Sequence, residues 1–106
     1  MSWIYILFAS VFEIVWAVSM KQSNGFSHRG WSALTVIGAV ASILLLAMGM
    51  KGLPVGTAYV VWTGIGAVGT FLVGVAVLGE AATALRMAGA AFVALGIVLM
   101  KIGETS

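Results

Sequence analysis

The sequence predicts an all-α membrane protein of four transmembrane helices, and three observations lead there. Of its 106 residues, 62% are hydrophobic and only 8% are charged, whereas a soluble domain is roughly half apolar and a quarter charged. Charges and turn residues fall between four apolar spans, with one exception inside them. Each span has the length, roughly 16–24 residues, that crosses a hydrocarbon core at about 1.5 Å per residue. A chain this short is one domain at most, 1–106.

The first span, 3–20, is apolar except for Ser10, Glu13 and Ser19, and Lys21 closes it. Ala17-Val18-Ser19 resembles a signal-peptidase site. However, no Lys or Arg precedes the span and Glu13 interrupts its apolar stretch, so a retained helix is expected. The run from Gln22 to Gly30 is the strongly polar segment, and Asn24-Gly25 within it signals a turn. The second span, 31–50, ends at Lys51-Gly52. Pro54 stands at the start of the third, 55–78, where its missing N–H is tolerated. Gly79-Glu80 ends that span, and the fourth, 85–102, closes at Lys101. Helices are expected because every backbone polar group in lipid must be satisfied within the chain, and the alternation of a barrel strand is absent.

The remaining charges exclude several functions. Eight charged side chains lie scattered without a basic cluster, which gives no support for nucleic-acid binding. Cysteine is absent, there is no metal-ligand cluster, and His28 stands alone in a loop, so neither a metal, a cofactor nor an enzymatic site is expected. Four crossings place Lys51 and Lys101 on one side and Lys21, Arg29 and Arg86 on the other. Two against three is almost no bias under the positive-inside rule, which permits insertion in both directions and an antiparallel dimer of identical subunits.

Glu13 lies near the middle of the first span, where a charge costs about 2.5–3.5 kcal/mol on insertion scales and normally faces an interior cavity. Ser10, Glu13, Trp16 and Ala17 share one helical face. Trp16 is placed to donate its indole N–H to the carboxylate or to lay its ring beside a cation; an interfacial anchor, the role that suits Trp3, Tyr5 and Trp31, is the alternative. In the third span Tyr59 and Trp62 repeat the i, i+3 relation beside Thr63. Gly64 and Gly66 there offer either close helix contact or a bend. Ser42, the polar side chain in the core of the second span, could bond a neighbouring carboxylate or its own helix carbonyl one turn back. Gly89 and Gly96 belong to a small-residue stripe that reads as a helix–helix contact between subunits. Four helices with one carboxylate are too few for a gated path, so self-association is expected. Two Glu13 carboxylates sharing an apolar site cannot both ionise cheaply, and would trade a proton for a cation.

Phe12-Glu13-Ile14-Val15-Trp16-Ala17, Lys21, Asn24-Gly25-Phe26 and the run from Leu53 to Gly69 resemble the small multidrug resistance family of proton-coupled exporters. Trp16 after Glu13, Trp62-Thr63-Gly64 and the late Lys101 look like its guanidinium-exporting subtype; the subtype that exports quaternary ammonium compounds carries a small residue at the position of Trp16. The resemblance implies an antiparallel, dual-topology homodimer in the bacterial inner membrane, with Glu13 binding protons or guanidinium. It further implies that Trp16 and Ser42 orient Glu13, Trp62 hydrogen-bonds the site, Tyr59 lines it, and the fourth helix forms the dimer contact. Ser10 departs from the subtype, which usually has Gly there; its hydroxyl could bond Glu13 and alter substrate choice. A heterodimer with a paralogue, a broader exporter of quaternary ammonium cations and a non-transporting structural membrane protein are the competing readings.

Overall fold

A computed structural model describes residues 2–103; Glu104 lies outside them. Four helices follow one another: α1 Ser2–Gln22, α2 Arg29–Gly49, α3 Val55–Ala76 and α4 Ala84–Gly103. Each is long and apolar enough to cross a membrane. A single 3₁₀ turn, Met50–Gly52, follows α2, and Pro54 caps α3, its carbonyl accepting from the Ala58 amide at 3.0 Å. The third helix ends at Ala76, two residues before the expected Leu78, where Gly79 at φ +72° turns the chain away.

The α1–α2 connection is more tightly wound than an Asn-Gly turn alone. Asn24, Gly25 and Phe26 are all left-handed. The Ser23 hydroxyl holds them by donating to the Met20 carbonyl at 2.7 Å and accepting from the Phe26 amide at 3.1 Å. Such local side-chain bonds replace the helix ladder where it stops.

The distribution of side chains is that of a protein solvated by lipid. The buried centre is small: Ile6, Ala9, Leu46, Ala58 and Val61, interleaved with buried Ser10, Thr35 and Ser42. Large apolar side chains such as Phe8, Ile37, Leu44, Leu72 and Phe92 face outward, the reverse of a water-soluble fold. Small residues bring the helices together without hydrophobic collapse to drive them. Gly38 of α2 admits Trp16 of α1, whose Cβ lies 3.1 Å from where a Gly38 Cβ would stand, and Gly49 receives Ile6.

Packing is extensive between α1 and α2, then between α1 and α3, and between α3 and α4. Lys101 near the end of α4 also reaches the start of α1, its ammonium 4.5 Å from the Trp3 ring centre. The Cα envelope measures 46 × 34 × 16 Å. It is a slab, so a groove on its face stays open unless something is laid against it.

Candidate functional site around Glu13

The site starts from a missing side chain. Gly66 of α3 is buried, and a Cβ there would overlap the Glu13 carboxylate and stand 2.8 Å from its Cγ. Glycine thus lets the acidic group of α1 lie flat against the α3 backbone. Gly64, also buried, faces the other way, and a Cβ there would meet Ile97 and Val93 of α4. The α3 helix runs unbroken from Val55 to Ala76 through both glycines. Both glycines serve close approach, one toward each neighbouring helix.

Glu13 opens onto a groove of about 250 Å³ lined by Glu13, Trp16, Ala17, Thr63, Gly66, Ala67 and Thr70. Two polar atoms are buried there without a hydrogen-bond partner among the described residues: Oε1 of Glu13 and Nε1 of Trp16. The expected bond from the Trp16 indole to the carboxylate is therefore not made. An unpartnered carboxylate oxygen out of water is unfavourable by several kcal/mol unless a proton or a cation meets it. Its position calls for a ligand.

Behind the groove runs a fixed polar chain. The Trp62 indole donates to the Ser42 hydroxyl at 2.9 Å, and Ser42 donates to the Ala9 carbonyl at 2.6 Å. That carbonyl, by the i to i−4 rule of an α-helix, is also the acceptor for the Glu13 backbone N–H. Neither partner expected for Ser42 is used; it bonds across to the helix turn that carries Glu13. Ser42 and Trp62 thus hold that turn, and neither hydrogen-bonds the carboxylate.

Tyr59 packs on Trp62 with ring centres 5.6 Å apart and planes at 53°, and more than half of its surface is exposed. It is not among the groove-lining residues. Ser10 is fully buried, but its hydroxyl donates to the Ile6 carbonyl at 2.8 Å, one turn back along its own helix. The direct bond to Glu13 expected of Ser10 is not formed, because its one proton is already placed. Gly89 and Gly96 have open space where a Cβ would stand, and no residue of α4 is buried. The structure also adds Ala67 and Thr70, which the sequence reading did not single out. Their signal was the i, i+3, i+4, i+7 spacing of Thr63, Gly66, Ala67 and Thr70, one face of α3.

The family model described as Small Multidrug Resistance protein matches residues 1–93. The chain belongs to the small multidrug resistance family. Its relatives include a protein of Escherichia coli K12 named "Guanidinium exporter", 50% identical over 102 residues, 96% of this chain and 97% of the relative. Proteins of the same name from Salmonella typhimurium LT2 and Yersinia pestis are 46% identical over 102 residues and 45% identical over 104 residues; they cover 96% and 98% of this chain and 97% and 100% of their own lengths. These names describe transport, not catalysis. With four membrane-length helices, this member of the family is a multi-pass membrane protein.

Proposed function

We propose that the chain exports guanidinium across the bacterial inner membrane in exchange for protons, with Glu13 as the shared binding group. The observation that carries this reading is the carboxylate oxygen held over Gly66, buried and unpartnered at the edge of a groove. A planar cation with N–H donors on its rim pairs with a carboxylate in a two-pronged fork, as Arg side chains do. A proton on the same oxygen removes the negative charge and releases the cation. Only one of the two can occupy the site, so each crossing moves one and returns the other. The relatives named as guanidinium exporters, at 45 to 50% identity, support guanidinium as the cation.

The assembly belongs to the same proposal. A second copy laid antiparallel against the slab would close the groove and bring its own Glu13 to it. The uncovered Gly89 and Gly96 on α4 suit a contact between copies, since small residues let helices in lipid approach closely. Alternating access then requires rearrangement of the two copies around a fixed site.

The test is uptake of labelled guanidinium into liposomes holding the purified protein. With an acidic interior, guanidinium is expected to accumulate inside, and dissipating the pH gradient should abolish the accumulation. Uptake indifferent to the gradient would refute proton exchange. Preference for tetrapropylammonium over guanidinium would instead identify the broader quaternary-ammonium exporter.

A further inference from the structure

We propose that Thr63 and Thr70 of α3 accept the cation N–H groups that Glu13 leaves unpaired, and that Thr70 thereby selects guanidinium over its N-alkylated derivatives. The inference rests on the reading of Glu13 as the cation's anchor. It goes beyond that reading by naming the second half of the site.

The geometry begins at Gly66, on which the Glu13 carboxylate lies. Thr63 stands three residues before it and Thr70 four residues after it, on the same helical face and lining the same groove. At about 1.5 Å of rise per residue, the two hydroxyl-bearing residues flank Gly66 at about 4.5 and 6 Å along the helix. Neither hydroxyl makes a hydrogen bond with a described residue. By contrast the hydroxyls of Ser10, Ser32 and Thr35 return to the carbonyl one turn back, to Ile6 at 2.8 Å, His28 at 2.6 Å and Trp31 at 2.8 Å, and among the hydroxyls without a partner those of Thr63 and Thr70 line the groove of Glu13. Thr63 is exposed and Thr70 half-buried, and both present an unused polar group on the groove beside Glu13.

The chemistry of guanidinium supplies the use. Each of its nitrogens carries two N–H donors, and a carboxylate fork takes only one pair. The others need acceptors, because burying an unpaired donor of a charged group costs more than a made bond gains. Among the groove's side chains the Trp16 indole is a donor only, and Ala17, Gly66 and Ala67 offer nothing polar. Thr63 and Thr70 are the remaining side-chain acceptors that this copy places in the groove. As neutral hydroxyls they take N–H bonds without adding a second charge to the groove. N-alkylation removes donors, so an alkylated cation gains nothing from them.

The test compares native protein with Thr70→Val, which keeps the shape and removes the hydroxyl, and Thr70→Ser, which keeps the hydroxyl. Guanidinium-evoked currents are recorded on reconstituted protein, and tetramethylguanidinium is titrated as a competitor. Thr70→Val is expected to raise the guanidinium KM about tenfold, while the competitor's inhibition constant changes less than about twofold. Thr70→Ser is expected to restore the native KM. An unchanged KM in Thr70→Val overturns the proposal, and so does an equal loss for both cations, which would indicate a packing role. Should the valine variant fail to reconstitute, Thr70→Ala carries the same expectations. Absence of guanidinium current in the native protein is a separate result, and it removes the anchor reading together with this one.

Discussion

Replacing Gly66 with alanine separates folding from function at the point where α1 meets α3. The new Cβ would overlap the Glu13 carboxylate and stand 2.8 Å from its Cγ. Alanine improves helix propensity by about 1 kcal/mol, and overpacking a tight contact costs about 1–3 kcal/mol. The carboxylate is the end of a flexible side chain, so it swings away and the net destabilisation stays within about 2 kcal/mol. Binding does not escape so easily. A hydrogen bond to a charged group is worth about 1.5–3 kcal/mol, so a displaced Glu13 raises the guanidinium KM about 10- to 100-fold. Gly69→Ala is the matched control: its Cβ would strike the tip of Ile14 on the same interface, one residue from Glu13, and push only an apolar group. Thermal unfolding of both purified variants is expected to differ little, while guanidinium currents on reconstituted protein fall only in Gly66→Ala. A native KM in Gly66→Ala would refute the claim that glycine is there to seat the carboxylate.

Other outcomes follow from the same contacts. Ser42→Ala removes the acceptor of the Trp62 indole and the donor to Ala9; it should destabilise the protein by about 1–3 kcal/mol in thermal unfolding, because the indole is left unpaired. Ser10→Ala deletes only a bond to Ile6, whose carbonyl keeps its helical N–H; guanidinium KM is expected to change less than about twofold. If proton and guanidinium compete for one carboxylate, acidification must raise the apparent guanidinium KM, approaching about tenfold per pH unit for one proton by mass action. A KM independent of pH in initial-rate measurements would count against competition.

How much of this was legible in the sequence depends on what each feature needs to be decided. The four spans could be read because charges are expensive in lipid, so Lys21, Lys51 and Lys101 mark the ends of helices wherever these pack. Glu13 stood out for the same reason. The partners of Ser42 could not be read, since its bond to Ala9 depends on how α1 crosses α2. The glycines of α3 read as bending or contact; the contacts, Glu13 against Gly66 and Ile97 against Gly64, are supplied only by the packing. Ser10 looked poised to bond Glu13 by spacing, but its own helix offered the Ile6 carbonyl, the usual local competitor for a buried hydroxyl. Thr70 lay one residue beyond the run from Leu53 to Gly69 that drew attention. It lines the groove because α3 continues unbroken past Gly66 and returns the same face one turn later.

The central claim concerns the acidic group of α1, and solid-supported-membrane recording of guanidinium-evoked currents in native and Glu13→Gln protein addresses it most directly. Glutamine keeps the size and polarity of the side chain and removes the charge for which proton and cation are proposed to compete. The account predicts currents in the native protein and none in the variant at any pH. A variant that carries guanidinium current of native size would contradict it.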